Sequence, residues 1–307
     1  MPPEVAGEAA RRSREARAAG TPVALTIAGS DSGGGAGIQA DLKAFARCGV
    51  HGTSAITAIT AQSTAGVRAI HEVPPEMVRA QIQAVVGDIG VDAVKIGMLG
   101  TARVAQAVAQ ALDELPPGTP VVVDPVMVAE SGARLLEADA EEALVREILP
   151  RASVLTPNVP EARVLAQLDR GSGEGEAEEA TSRGEEDEAE LRELALVLLA
   201  LGPRAVVLTG GHRGRAVDLF VERAGEGREA SLVELAGERH PDGAAHGSGC
   251  THSSILAARL ALGDTPLQAA RVARELTGEA VAHGLRELGA GAGPVDVIDL
   301  RGRRGVT

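Results

Sequence analysis

The sequence predicts an α/β fold in which a mostly parallel sheet lies between two layers of helices. Three observations predict it. Short, continuously apolar segments recur along the chain, helical segments with apolar periodicity separate most of them, and glycine or polar residues follow each apolar segment. Continuous apolar strands are typical of parallel sheets that helices cover on both faces.

The predicted strands are residues 23–28, 54–61, 93–96, 120–123, 153–155 and 205–208. The predicted helices are a helix from Ile38 ended by Gly49, then residues 75–86, 101–114, 139–148, 159–168 and 188–201. Residues 216–221 and 229–235 predict an antiparallel hairpin. A helical pattern at 255–262 and a long helix from Pro266 to about residue 285 follow.

We expect one folded domain at residues 21–300. Residues 1–20 have no apolar core segment and are expected to be a disordered extension rather than a targeting signal. Residues 169–190 contain ten acidic and two basic residues without apolar periodicity, which indicates a flexible acidic insertion between two helices.

Composition excludes several classes of protein. The formal net charge of −13, and the presence of only two aromatic residues, Phe45 and Phe220, argue against a nucleic-acid partner. The longest apolar run, 194–201, is too short to cross a membrane. Cys48 and Cys250 provide no disulfide framework, which favours the reducing cytoplasm.

The most informative segment is the glycine-bracketed turn formed by residues 246–251, which leads into an apolar helical pattern. The free amides at a helix start bind anions, and glycine lets the backbone approach a ligand closely. Such a turn suits phosphoryl transfer. A thiol at this position, Cys250, is expected to have a pKa below its free value of about 8.5. The alternative is an ordinary glycine turn followed by a core helix with a buried thiol.

Parallel strands bring their carboxyl ends to one edge of a sheet, where ligands bind. The segments that follow the predicted strands therefore form a composite candidate site. The glycine-rich segment 29–37 contains Asp31 and lacks the acidic residue of a dinucleotide fingerprint, and the chain has no P-loop motif. The polar or glycine-containing residues that follow the later strands are Gln62, 97–100, Asp124, Asn158 with Glu161, and Thr209 to His212.

Three of these side chains carry the oxygen ligands that Mg²⁺ prefers, namely Asp124, Asn158 and Glu161. An alternative for Asn158 and Glu161 is a helix-capping pair, which does not exclude contact with the same ion. Asp41 either stabilises a helix dipole or accepts a hydrogen bond from an amino group on a ring. The seven histidines show no paired ligand spacing for structural zinc.

The motifs together resemble those of the hydroxymethylpyrimidine/phosphomethylpyrimidine kinases of thiamine biosynthesis. They occur in family order from about residue 23 to residue 294, which is far more specific than any single motif. The matching segments are 28–43, 57–62, 95–99, 124–127, 156–162 and 246–251.

The resemblance implies a ribokinase-like fold, a three-layer α/β/α sandwich with a central mostly parallel sheet, as a single kinase domain and commonly a homodimer. It implies ATP- and Mg²⁺-dependent phosphorylation of 4-amino-5-hydroxymethyl-2-methylpyrimidine to the monophosphate and then to the diphosphate. By similarity, Cys250 is the catalytic base, and the anion-binding residues are Gly247, Ser248, Gly249 and Cys250.

The same resemblance implies the remaining roles. Asp41 and Gln62 would hold the aminopyrimidine edge in a pocket of Gly29, Ala36, Met98 and Val126. ATP would contact Asn158, Glu161, Thr209 and Gly211, with Asp124 and Glu161 as metal ligands. The sequence departs from the family pattern at Thr209, where a phosphate-neutralising lysine is frequent, and at Ser32 and Ser248.

Two other functions remain open at this stage. A pyridoxal or pyridoxine kinase would share the fold and the anion-binding turn, and a kinetic comparison of the substrates would separate the two activities. A pyrimidine-binding sensor without turnover is motivated by Thr209 and would bind the ring without releasing ADP.

Overall fold

A computed structural model describes residues 20–129, 132, 135–169, 188–210, 216–223, 230–241 and 243–302. Its strands are β1 (Val23–Asp31), β2 (His51–Ser63), β3 (Gly66–Glu72), β4 (Ala93–Ile96), β5 (Val121–Val123), β6 (Val154–Leu155), β7 (Ala205–Leu208), β8 (Val217–Glu222) and β9 (Ser231–Ala236). Its helices are α1 (Gly37–Arg47), α2 (Pro75–Asp88), α3 (Ala102–Asp113), α4 (Ala138–Ala143), α5 (Val159–Asp169), α6 (Glu188–Ala200), α7 (Ser248–Ala261) and α8 (Pro266–Ala282).

Within the described residues, the strands form one nine-stranded sheet in the order β3-β2-β1-β4-β5-β6-β7-β8-β9. The six strands from β2 to β7 in this order are parallel, and β3, β8 and β9 add antiparallel edges. All six parallel strands therefore direct their carboxyl ends to one edge of the sheet, where the site lies.

Alternate residues of the strands enter two separate cores, one on each face of the sheet. Leu25 and Ile27 of β1 pack in the core that α2 to α6 cover, whereas Ala24 packs in the core that α1, α7 and α8 cover. In β5, Val121 and Val123 pack in the first of these cores, and Val122 packs in the second. This two-sided burial explains why the strands read as continuous apolar segments.

The predicted α/β class and the mostly parallel central sheet are confirmed. The bounds of β4 and β7 match the prediction, and the predicted hairpin is β8 paired with β9. The sequence did not indicate β3, because this edge strand is mostly exposed and mixes polar with apolar residues. The predicted helix 139–148 is α4 continued by a π-helical turn, Leu144–Ile148.

Parts of the predicted domain organisation lie outside the described residues. These are the extension up to residue 19 and residues 170–187 of the acidic segment. The described ends of that segment are helical, because Asp169 closes α5 and Glu188 opens α6. Within the described residues, no helix has the length and apolar composition that a membrane crossing requires.

Candidate active site

A cavity of about 420 Å³ opens at the carboxyl ends of the parallel strands, and the start of α7 lines it as well. Crevices at this edge of a parallel sheet are the usual ligand sites of open α/β folds. The structure therefore brings together predicted site residues that lie far apart in the chain. Those on its lining are Gly29, Ala36, Gln62, Met98, Asp124, Val126, Asn158, Glu161, Thr209, Gly247, Ser248, Gly249 and Cys250.

The glycine-rich segment after β1 is organised by the buried carboxylate of Asp31. Its oxygens accept hydrogen bonds from the amides of Gly33 at 2.7 Å, Gly35 at 3.0 Å and Ala36 at 2.8 Å. His246 Nε2 lies 3.2 Å from Asp31 Oδ2. Burial alone would raise the pKa of Asp31, but these partners hold it below its ordinary value. Sequence reasoning missed this link between the two glycine segments, since no spacing pairs an aspartate and a histidine so far apart.

The turn before α7 begins the helix at the wall of the cavity. Gly247 is the N-cap and has a φ of 81°, a left-handed conformation that favours glycine. A Cβ at Gly247 would lie 1.8 Å from the carbonyl oxygen of Gly35, so a side chain there would separate the two glycine segments. At Gly249 an added Cβ would meet nothing within 4 Å, which leaves that face of the first turn open. The Ser248 amide donates to the carbonyl oxygen of Ala245 at 3.0 Å. The amides of Gly249 and Cys250 lie in the first turn, where amides have no partner inside the helix, so an anion can accept their hydrogen bonds.

The predicted ring pocket lies at the exits of β1, β2 and β4. A Cβ at Gly29 would approach the Met98 methyl group to 2.9 Å, so these two residues lie in close contact across the pocket. Thr57 Oγ1 donates to the carbonyl oxygen of Met98 at 2.7 Å and fixes the β4 exit. Gln62 Oε1 accepts a hydrogen bond from Thr60 Oγ1 at 3.2 Å, which holds its side chain beside the cavity.

The prediction for Asp41 is corrected by the structure. Its side chain is fully buried in the second turn of α1 and does not line the cavity. Its oxygens accept hydrogen bonds from Thr26 at 2.6 Å, Ser254 at 2.7 Å and Lys95 at 3.0 and 3.1 Å. A carboxylate engaged in this way cannot also contact an aminopyrimidine. The sequence could place Asp41 on a helix, but it could not show that the helix presents it to an internal lysine.

Lys95 is a charged residue of the cavity that sequence reasoning did not place. It lies in β4 opposite Thr26 of β1, fully buried, and it lines the floor of the cavity. Its ammonium group lies 3.0 Å from Asp41 and 3.8 Å from Asp124. Burial would lower the pKa of Lys95, but the carboxylates of Asp41 and Asp124 outweigh it and raise the pKa, so the side chain is charged. The available signal was a single lysine within an otherwise apolar strand.

The expected low pKa of Cys250 is wrong for this structure. The residue is half-buried on the cavity lining, and its thiol lies among the charged groups of Asp124, Asp41 and Lys95. Burial raises the pKa of the Cys250 thiol to about 12, Asp124 and Asp41 add to the increase, and Lys95 opposes it. Desolvation and two neighbouring carboxylates therefore raise the thiol pKa by more than the helix start can lower it.

Asn158 and Glu161 form a reciprocal capping pair at the start of α5. Asn158 Oδ1 accepts a hydrogen bond from the Glu161 amide at 2.9 Å, and Glu161 Oε2 accepts one from the Asn158 amide at 2.9 Å. The predicted capping alternative is thus present, and both residues also line the cavity.

The carboxylates of Asp124 and Glu161 lie close enough to repel each other. Burial and the charge of Asp124 raise the pKa of Glu161 to about 8, although the amides of Asn158 and Met127 oppose the increase. Burial also raises the pKa of Asp124, despite Lys95 and a 3.0 Å hydrogen bond from Ser253. Two hard oxygen ligands that repel each other at a cavity wall fit a divalent cation, which would remove the repulsion. No group of three or more His, Cys, Asp or Glu side chains in the described residues is placed to hold a metal.

Thr209 lies at the exit of β7, where its amide and hydroxyl both donate to the carbonyl oxygen of Pro157, at 2.9 and 3.3 Å. The adjacent Gly210 amide donates to Asp218 Oδ1 at 2.8 Å. These bonds anchor the strand exit to β6 and β8. Gly211, predicted to contact ATP, lies outside the described residues.

The comparisons with known proteins agree with this architecture. Residues 31–296 match the model of the family described as phosphomethylpyrimidine kinase. The hydroxymethylpyrimidine/phosphomethylpyrimidine kinases of Streptomyces coelicolor and Rhizobium meliloti are each 45% identical over 278 residues. Each alignment covers 90% of this chain, with 94% and 96% of the respective relative.

Solved structures support the same assignment. Pyridoxal kinase from Staphylococcus aureus in complex with pyridoxal superposes with a TM-score of 0.74 at 29% identity and covers 90% of this chain and 93% of its own. Phosphomethylpyrimidine kinase from Clostridium difficile gives a TM-score of 0.68 at 35% identity, and the alignment covers 85% of this chain and 100% of the C. difficile chain. The predicted ribokinase-like α/β/α sandwich and the resemblance of the motifs are confirmed, and the chain belongs to the phosphomethylpyrimidine kinase family.

Proposed function

We propose that this protein transfers the terminal phosphoryl group of ATP to 4-amino-5-hydroxymethyl-2-methylpyrimidine, and then phosphorylates the monophosphate to the diphosphate, in thiamine biosynthesis. The observation that carries the proposal is that one cavity joins the ring pocket at Met98 and Gln62 to the helix start at Gly247–Cys250. Two relatives that are 45% identical are named for this pair of activities.

Positioning and charge stabilisation would provide most of the rate. Phosphoryl transfer passes through a loose transition state whose charge spreads over the equatorial oxygens. The first amides of α7 would stabilise that charge by donating hydrogen bonds to the oxygens, and the close backbone contact between Gly247 and Gly35 holds them at the glycine segment after β1.

Lys95, which lies in the family-matching segment 95–99, adds a positive charge at the cavity floor and is held there by Asp41 at 3.0 Å. In a low-dielectric interior such a charge would favour binding of the phosphates. This arrangement supports turnover over the alternative of a binding sensor. Arg213 and Arg215, two cationic residues that follow Thr209 closely in the sequence, lie outside the described residues.

Cys250 would contact the hydroxymethyl oxygen of the first substrate. The thiol is protonated at neutral pH in this structure, so its role begins as a hydrogen-bonding group beside Asp124. Proton removal is late in a loose transition state, which leaves only a modest contribution to a base. In the second step the nucleophile is a phosphate oxygen that is already ionised, so one cavity can serve both reactions.

Asp124 and Glu161 would hold Mg²⁺, and Asn158 and Thr209 would contact the phosphates of ATP together with Gly211. The ion, when bound, supplies charge neutralisation between the phosphates and the two carboxylates. ATP use is supported by the S. aureus pyridoxal kinase structure with AMP-PCP, which has a TM-score of 0.75 to this chain. The repulsion between Asp124 and Glu161 supports the metal.

Residues 21–300 would act as a single kinase domain in a homodimer. Support for the dimer comes from the edge hairpin of β2 and β3, where Ile59 and Ile70 are 52% and 43% exposed. An exposed edge with apolar residues is a site for pairing with another chain. Both cysteines are free thiols, which supports a cytoplasmic location.

A time course with the hydroxymethylpyrimidine, ATP and Mg²⁺, with the mono- and diphosphate resolved, tests the proposal. We expect the monophosphate to appear first and the diphosphate to replace it. A second candidate is pyridoxal phosphorylation, which the similarity to the S. aureus enzyme favours, so pyridoxal is assayed in parallel. A higher kcat/KM for pyridoxal would replace the proposed substrate, and ring binding without ADP release would indicate a sensor.

A further inference from the structure

The hydroxyl group of Ser32 contacts a residue of the ring pocket from outside the cavity. Ser32 follows β1, and its Oγ donates a hydrogen bond to the main-chain carbonyl oxygen of Gln62 at 2.7 Å. The same Oγ accepts a hydrogen bond from the Gln62 amide at 2.8 Å. A serine hydroxyl provides one donor and two acceptor lone pairs, so this single side chain engages both main-chain groups of Gln62. Ser32 is also a position at which the sequence departs from the family pattern.

These two bonds support Gln62 at a place where the sheet gives it little regular support. The parallel ladder of β1 and β2 ends with Asp31 opposite Thr60. On the other side of β2, the antiparallel register with β3 shifts between Ala61 and Gln62. Gln62 therefore lies beyond the end of one ladder and at an irregularity of the other. The Ser32 hydroxyl takes the place of the main-chain partner that a longer β1 would offer.

Ser32 is itself held in a closed turn. The Gly34 amide donates to the carbonyl oxygen of Asp31 at 2.9 Å, so Ser32 and Gly33 are the central residues of a β-turn. The Asp31 carboxylate accepts the Gly33 amide at 2.7 Å and fixes the same turn from its side chain. A Cβ at Gly33 would lie 3.4 Å from the Cα of Ser63, so the turn packs directly on the end of β2. The hydroxyl is thus presented to Gln62 in one orientation.

The side chain of Gln62 depends on this support because its other contact is shared. Gln62 lines the cavity, and its Oε1 accepts a hydrogen bond from Thr60 Oγ1 at 3.2 Å. Thr60 Oγ1 also donates to the carbonyl oxygen of Ser30 at the shorter distance of 2.7 Å. A hydroxyl has one proton, so it cannot make both bonds at full strength. The direction of the Gln62 amide is therefore set largely by its main chain, which Ser32 holds.

We propose that Ser32 is a positioning residue for pyrimidine recognition, which acts by fixing the main chain of Gln62 so that its amide faces the ring. Ser32 does not line the cavity, so it acts through Gln62 and not by contact with the substrate. The inference rests on the proposed function in taking the aminopyrimidine as the substrate. It assigns Ser32 to the affinity for the ring, and the rate of phosphoryl transfer to other groups.

Steady-state kinetics of the full-length chain with the hydroxymethylpyrimidine and ATP test the proposal. Ser32→Ala should raise the KM for the pyrimidine about threefold, the effect of a weakened hydrogen bond, and leave kcat and the KM for ATP unchanged. Ser32→Thr should restore the wild-type KM, because its hydroxyl can donate and accept in the same way. The matched control is Ser63→Ala, an exposed serine of the same hairpin whose hydroxyl accepts the Ala65 amide at 3.3 Å, and it should match the wild type.

A double variant shows whether Ser32 acts through the Gln62 side chain. In a Gln62→Ala background, Ser32→Ala should cause no further rise in the pyrimidine KM, because the amide that it positions is absent. Ser32 is exposed, so we expect Ser32→Ala to fold with an unfolding temperature close to that of the wild type.

Four results would overturn the inference: an unchanged pyrimidine KM in Ser32→Ala, an equal rise in Ser63→Ala, a further threefold rise in the Gln62→Ala background, or a Ser32→Thr variant no better than Ser32→Ala. A loss confined to kcat would overturn it as well.

Calorimetric titration with the pyrimidine alone separates this inference from the proposed function. A wild type that binds the ring without turnover would refute the proposed function, whereas about threefold weaker binding by Ser32→Ala would still support the inference. A wild type that phosphorylates the pyrimidine while Ser32→Ala matches it in KM and in binding would refute the inference alone. A wild type that neither binds nor phosphorylates the pyrimidine would refute both.

Discussion

Replacing Glu161 by glutamine should stabilise the ligand-free protein at high pH. Burial and Asp124 raise the pKa of Glu161 to about 8 from an ordinary 4.5. The folded state therefore holds this proton more tightly than the unfolded state does. The free energy of unfolding of the wild type falls as the pH rises from about 4.5 to about 8. Glutamine keeps an oxygen that can accept the Asn158 amide, but it cannot ionise.

The magnitude follows from the same values. At about 1.4 kcal/mol per pH unit, the increase corresponds to at most about 5 kcal/mol. The stronger capping bond of the charged form is already included in this net increase, because the Asn158 amide is one of the groups that oppose it. We therefore expect Glu161→Gln to be about 3–5 kcal/mol more stable than the wild type near pH 9, and nearly equal to it near pH 5.

Urea denaturation with a chelator present, at about pH 5, 7 and 9, measures this difference. Glu193→Gln, at an exposed position of α6, is the control and should follow the wild type at every pH. Added Mg²⁺ should stabilise the wild type more than Glu161→Gln. Parallel pH dependences of the wild type and Glu161→Gln would refute the reasoning, because they would show that Glu161 is not held neutral by burial and Asp124.

Four further predictions concern side chains of the site. With Cys48→Ser as background, iodoacetamide should alkylate Cys250 at least about 100-fold more slowly than free cysteine near neutral pH, since burial raises the thiol pKa to about 12; alkylation at the rate of free cysteine would contradict this. Cys250→Ala should slow the first phosphorylation more than the second, and equal losses in the two single-turnover rates would remove its contact with the hydroxymethyl group. Gln62→Ala should raise the KM for the pyrimidine about fivefold, because one hydrogen bond to the ring is lost, and should change the KM for ATP little. Steady-state kinetics measure both constants, and an unchanged pyrimidine KM would exclude Gln62 from the pocket. Lys95→Met should lower the free energy of unfolding by about 3–5 kcal/mol, because it leaves the buried carboxylate of Asp41 unpaired. In urea denaturation, the double variant Asp41→Asn with Lys95→Met should recover most of this loss. A double variant as unstable as the single one would show that the unpaired carboxylate is not the cause.

The sequence was most informative where a pattern is local. Apolar continuity predicted the parallel strands, and β4 and β7 match to the residue because both are buried on two faces. Edge strand β3 escaped prediction because exposure removes the apolar signal. The reciprocal bonds of Asn158 and Glu161 were likewise readable, since a capping pair depends only on a spacing of three residues.

The roles of charged residues were the part that the sequence could not supply. The pKa of Cys250 was expected to be low from the helix start alone, yet burial and two carboxylates from other elements raise it. Asp41 was assigned to the ring pocket, yet it pairs with Lys95 from a strand that lies 54 positions further along. His252 was one of seven histidines without a pattern, and its unpaired nitrogens became apparent only from its surroundings.

The sequence by itself determined the order of the strands and helices apart from β3, the segments that follow each strand, and, through the resemblance of its motifs, the family. The strands, the helices and the segments after them depend on the periodicity and spacing of neighbouring residues. Only the tertiary structure decided which ionisable groups face one another at the cavity. Their charge states are set by desolvation and by partners from distant elements, and neither property exists until the helices close over the sheet.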